Sequence, residues 1–80
     1  MIEEEVKGVV LKQLKIDAAV YNEDLAVGDI PAWDSVGHVN LLMAIEERFG
    51  ILFDVVDATD IETVADLVEK TKDYIGQKGR

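Results

Sequence analysis

Apolar residues recur at spacings of three and four in three stretches of the chain, and each stretch predicts an amphipathic helix. In the first, Ile2, Val6, Val9, Val10 and Leu14 share a face, which predicts a helix over residues 2–15. Glu3, Glu4 and Glu5 fall in its first turn and Lys12 and Lys15 in its last, complementing the helix dipole. Gly8 weakens this stretch by about 1 kcal/mol relative to alanine. In the second, Leu41, Leu42, Ile45 and Phe49 make a core stripe. That helix starts at Ser35 or Val36 and stops at Gly50, a helix-ending glycine. Val36, Val39 and Met43 widen its apolar surface beyond the stripe, so part of that surface is expected to stay exposed. In the third, Val64, Leu67, Val68 and Ile75 predict a helix over residues 62–75 that ends at Gly76, with a frayed tail over 76–80.

No period is sustained over residues 16–33, where Gly28, Asp29 and Pro31 break regular structure. A connection of this length is normally pinned by its own apolar residues or functional. Val20, Leu25, Val27 and Ile30 are the candidate pins. The stretch "ILFDVVDATDI" is ambiguous, because β-branched residues favour a strand and closely spaced aspartates oppose a buried one. It is read as an extended linker over 51–56 and a short helical turn over 58–61. The expected fold is all-α, a small four-helix bundle with a long first loop and a short third helix. Eighty residues allow one domain, 1–80, with a single modest core.

Composition removes several function classes. Hydrophobic residues are 49% and charged residues 31%, a globular balance and not a disordered one. No apolar run approaches the roughly 18 residues needed to cross a bilayer. The opening "MIEEEVKG" is acidic where an export signal is basic, and there is no cysteine for a disulfide, thiolate nucleophile or zinc-thiolate site. A cytoplasmic location is therefore expected. The net charge is −9, and thirteen acidic residues but one basic residue, Arg48, fall between residues 16 and 69. Such a field repels nucleic acid and anionic membrane and favours basic protein surfaces.

Enzymatic constellations are nearly absent. His38 lies one turn after Ser35, so a serine–histidine contact is conceivable, but no oxyanion hole or orienting group accompanies it. A surface histidine is the simpler expectation. Asp54, Asp57 and Asp60 are three apart with no glycine between them, which does not match a calcium loop. There is no phosphate-cradling glycine loop. What remains is Asp34-Ser35 at a helix start. Serine and aspartate are preferred N-caps, each worth about 1 kcal/mol over alanine. A helix N-terminus also offers unpaired N–H groups and a positive dipole end, so a serine there suits a phosphodiester equally well.

The run "DSVGHVNLLMAIEERFGI", with "EEEVKGVVLKQL" upstream and "DATDIETVADLVEKTKDYI" downstream, resembles the acyl carrier protein family in order and spacing over residues 2–75. The resemblance implies a four-helix bundle crossed by a long first loop. It implies that a phosphopantetheinyl transferase uses coenzyme A and magnesium to place 4′-phosphopantetheine on Ser35, with Asp34 as its motif partner. The arm's thiol would then hold an acyl or aminoacyl group as a thioester, which explains a chain without cysteine. It further implies a non-enzymatic, monomeric carrier. Its partners would be acyl-loading and acyl-processing enzymes with basic docking surfaces, in fatty acid, polyketide or a specialised pathway. Val36, Met43, Glu46 and Glu47 would form the partner-facing surface, an acidic rim around an apolar patch. Leu42, Ile45 and Val64 would line an acyl cleft or belong to the core.

"GDIPAWDS" departs from the family's housekeeping members, with Trp33 before the aspartate, Pro31 in the approach, and Val36 where leucine is usual. Gly37 and His38 also replace residues commonly polar or acidic. These features resemble stand-alone carriers of specialised pathways. Trp33 is read as a ring packed against the loop and first helix, or as a shield for the arm or a contact for a partner. Two rivals remain: an aminoacyl, peptidyl or D-alanyl carrier of the same fold, and an unmodified helical interaction protein in which Ser35 is only a cap.

Overall fold

The computed structural model describes residues 2–78 and contains four helices, α1 (Ile2–Leu14), α2 (Ser35–Phe49), α3 (Val55–Asp60) and α4 (Val64–Lys78). Among the described residues the only β pairing is an isolated bridge between Ala26 and Thr63. α1 packs against both α2 and α4. Val6, Val10 and Leu14 of α1, Leu41, Leu42 and Ile45 of α2, and Val64 and Leu67 of α4 are buried in one cluster. The helical periods therefore bury the faces expected of them, with Ile2, Val9, Phe49, Val68 and Ile75 packed half-buried at the edge. This is the all-α four-helix bundle that the apolar pattern implies.

The helix ends are set by local chemistry. α1 stops at Leu14, one residue earlier than its charge pattern suggests, because Lys15 turns left-handed (φ 56°) and Ile16 donates to the Leu11 carbonyl at 3.1 Å. α2 ends as expected at Gly50, whose φ of 66° and whose N–H bond to the Glu46 carbonyl close the last turn. α3 begins at Val55, inside the stretch expected to be extended. Asp54 caps it, accepting from Asp57 N at 2.9 Å, and this local bond outweighs the β preference of Val55 and Val56. α4 begins at a reciprocal cap: Thr63 Oγ1 accepts from Asp66 N at 3.1 Å, while Asp66 Oδ2 accepts from Thr63 N at 3.2 Å. Its expected stop at Gly76 does not occur. The helix runs through Gly76 and Gln77 to Lys78, so the tail expected to fray from 76 is helical there, and residues 79 and 80 lie outside the described residues.

The long loop is fastened to the start of α4. Val64 N donates to Leu25 O at 2.9 Å and Ala65 N to Glu23 O at 3.1 Å, so loop carbonyls satisfy first-turn N–H groups of α4. Val27 N donates to Glu62 O at 2.9 Å. Of the four candidate pins only Leu25 is buried and Ile30 half-buried; Val20 and Val27 are exposed. Trp33, fully buried, is the loop's main anchor.

α3 has no buried residue and is held by polar contacts to α4. Tyr74 Oη donates to Asp57 Oδ2 at 2.5 Å and accepts from Asp54 N at 3.0 Å, and Lys70 pairs with Asp57 at 3.3 Å. Phe53 packs edge-on against Tyr74 with ring centroids 5.0 Å apart. The bond from Tyr74, with Lys70 adding to it, holds the Asp57 carboxyl below its usual range despite partial desolvation. The bond to Asp57 raises the Lys70 ammonium in turn. For the Tyr74 hydroxyl, the N–H of Asp54 pulls downward, but its bond to Asp57, desolvation and the neighbouring carboxylates raise it overall.

Candidate functional site

Ser35 is the first residue of α2 and is exposed. It does not cap the helix. Asp34 does, in extended backbone geometry (φ −99°, ψ −168°), with Oδ1 accepting from Gly37 N at 2.7 Å. Of the two candidate caps, Asp34 holds the position, which removes the premise of the rival in which Ser35 is only a cap. The reason is geometric: the cap position needs non-helical backbone, and Asp34 occupies it while Ser35 is already helical. Among the described residues the Ser35 hydroxyl has no hydrogen-bond partner, so it faces solvent at the positive end of a helix 15 residues long.

The approach to Ser35 is bound tightly to the helix that follows. Gly28, at φ 91°, donates to the Trp33 carbonyl at 2.7 Å, and Trp33 N donates to Ile30 O at 3.1 Å. The Ala32 carbonyl lies where a Cβ on Gly37 would stand, 2.0 Å away, so only glycine lets loop and first turn approach this closely. His38 N donates to the Asp34 carbonyl at 2.8 Å.

Trp33 and His38 flank this turn and meet. The indole Nε1–H donates to His38 Nδ1 at 3.0 Å, with the rings stacked at 6.1 Å between centroids and 30° between planes. Trp33 thereby satisfies its one polar atom inside the core, where an unpaired donor costs about 1–3 kcal/mol. His38 is consequently half-buried and engaged, not the surface histidine expected, and no Ser35–His38 hydrogen bond forms among the described residues.

Beyond the first turn, Val36, Val39 and Met43 are exposed, at 69%, 56% and 58%. Leu52, Val55 and Val56 are also exposed. Glu47 is exposed beside an open groove of about 420 Å³ between α1 and α2, lined by Val9, Lys12, Gln13, Ala44 and Arg48. Glu46 behaves differently from the rim residue it was expected to be. It is half-buried, and its Oε2 accepts from Phe53 N at 2.9 Å, tying the segment after α2 back onto the helix. Arg48, the lone cation of the central segment, is paired with Glu5 of α1. Leu42, Ile45 and Val64 are buried members of the core.

The sequence reading named Ser35, Asp34, Val36, Met43 and Glu47, and these five are exposed. It missed the Trp33–His38 pair, whose spacing of five crosses from loop into helix and matches no periodic template. No protein-family model matches the chain. The chain is 38% identical over 74 residues to an acyl carrier protein of Solidesulfovibrio magneticus, spanning 89% of this chain and 95% of that one. It is 33% identical over 72 residues to an acyl carrier protein of Chlamydia caviae, spanning 89% and 92% respectively. The solution structure of a holo acyl carrier protein from Geobacter metallireducens superposes with a TM-score of 0.84 over 95% of this chain and 87% of that one, at 24% identity, a likeness of fold. Relatives at 33–38% identity over 89% of the chain define a carrier-type protein. This chain belongs to the acyl carrier protein family.

Proposed function

We infer that the chain works as an acyl carrier whose attachment point is Ser35, a single carrier domain that is loaded and unloaded by other enzymes and catalyses nothing itself. The observation that carries this is the division of labour at the start of α2: Asp34 caps, leaving the exposed Ser35 hydroxyl unengaged among the described residues. The residues present fit a 4′-phosphopantetheine group. Exposure admits a transferase, and the helix N-terminus favours the charge of a phosphodiester. When bound, such a group supplies a thiol that holds acyl cargo as a thioester.

In attachment, Ser35 Oγ forms the new P–O bond while the P–O–P bond of coenzyme A breaks. The nucleotide leaves with the electron pair, and the hydroxyl proton passes to a base of the transferase. Val36, Met43 and Glu47 then offer an apolar patch with an acidic edge to basic partner surfaces, where contacts must stay weak enough for sequential visits. Glu46 contributes charge to that edge while remaining tied to Phe53. A cytoplasmic, monomeric carrier is part of the same reading. Incubation with coenzyme A, magnesium and a broad-range phosphopantetheinyl transferase, followed by intact-mass measurement, tests it. The native chain gains one phosphopantetheine mass and Ser35→Ala gains none; a native chain that stays unmodified refutes it.

A further inference from the structure

We propose that the Trp33–His38 hydrogen bond is a latch that sets the position of Ser35 for group transfer, making both residues positioning residues of the attachment site. The inference rests on Ser35 being the attachment point.

The two rings bracket the reacting residue in sequence, two positions before it and three after. Trp33 is anchored, since its ring is fully buried and its backbone is fixed from Ile30 and Gly28. His38 is the fourth residue of α2, and its own N–H closes onto Asp34. A bond between these side chains therefore ties the rigid end of the loop to the first turn of the helix, across the residue whose hydroxyl must be presented. Among the described residues the Ser35 side chain makes no bond that could hold it. Its placement is inherited from the backbone on either side, and the latch joins those two sides. Asp34 fixes only the turn, through Gly37; it does not reach the loop's anchor.

The geometry also specifies a chemical state. A nitrogen that accepts from an indole N–H carries no proton, so in the latched form the His38 proton sits on Nε2. Asparagine at position 38 offers an oxygen close to where Nδ1 stands, and phenylalanine fills the space without an acceptor.

The test compares wild type, His38→Asn, His38→Phe and Trp33→Phe as substrates of one phosphopantetheinyl transferase, each at a temperature where circular dichroism shows it folded. Misplaced reacting atoms slow transfer without weakening docking. The expectation is that His38→Phe and Trp33→Phe lower kcat on the order of tenfold or more, with KM little changed, and that His38→Asn restores most of it. Equal kcat in wild type and His38→Phe overturns the latch. So does a defect confined to KM, or one that His38→Asn fails to rescue. Should an aromatic variant not fold, nitrogen-15 spectra of the wild type decide: the latch requires the Nε2–H tautomer at His38 and a Trp33 indole N–H slow to exchange, and the opposite tautomer overturns it. Wild type that is never modified refutes the attachment point, a separate outcome from wild type modified at the same rate as the variants.

Discussion

Replacing Asp34 and Ser35 one at a time separates the structural from the chemical role of the pair. Asp34→Ala removes a charge-assisted bond of 2.7 Å to Gly37 N, the acceptor for one of the unpaired first-turn donors of α2. Loss of such a cap costs about 1 kcal/mol, within a range of roughly 0.5–2. Asp34→Asn keeps an acceptor and loses only the favourable charge at the helix start, worth about 0.3–1 kcal/mol at low salt. Ser35→Ala loses no hydrogen bond and puts a better helix former at an exposed first-turn position, a change of at most about 0.5 kcal/mol in favour of folding. Urea unfolding resolves the series, because a slope near 1 kcal/mol/M turns 1 kcal/mol into a midpoint shift of about 1 M. The expected order of stability is Ser35→Ala at or above wild type, then Asp34→Asn, then Asp34→Ala. A Ser35→Ala midpoint as low as that of Asp34→Ala would refute the assignment of the cap.

Gly37→Ala drives a Cβ into the Ala32 carbonyl at 2.0 Å, so it should lose about 1–3 kcal/mol in urea despite alanine's helix propensity. Gly8→Ala meets nothing within 4 Å and should gain about 0.5–1 kcal/mol in the same assay. Thr63→Ala removes half of the reciprocal cap of α4 and should cost about 1 kcal/mol, seen as a lower Tm. The Asp57 carboxyl is held below its usual range and the Tyr74 hydroxyl above its own. Their contribution to stability is therefore whole between pH ~4 and ~10, fading as acid protonates Asp57 or alkali ionises Tyr74. Asp57→Asn should flatten the acid limb of a stability–pH profile, and an unchanged limb would contradict the tether.

Much of this fold is legible in the chain because three stripes of apolar residues at helical spacing have no alternative use. Leu41, Leu42 and Ile45 are buried for that reason, and Gly50 ends α2 because a left-handed residue is needed where the stripe stops. Elsewhere propensity misled. Val55 and Val56 suggest extended backbone, yet both are largely exposed, so the Asp54 cap decides. Gly76 resembles Gly50 in sequence but stays helical, since a glycine permits a helix end without imposing one. At the site, the exposure of Ser35, Val36 and Met43 followed from the pattern. The engagement of Glu46 by Phe53 and of His38 by Trp33 did not, because both depend on how a non-periodic segment folds back over α2.

Peptide mapping by tandem mass spectrometry, after transfer from coenzyme A, tests the central claim most directly. Ser35 is the chain's one serine, so the competing hydroxyls on ordinary alcohols are Thr59, Thr63 and Thr71. Two of those hydroxyls already donate to backbone carbonyls, Thr59 to Val55 and Thr71 to Leu67, and Thr63 is the cap of α4. The account predicts a single phosphopantetheine on the peptide containing Ser35, with the threonine peptides unmodified. A modified threonine with Ser35 untouched would contradict it.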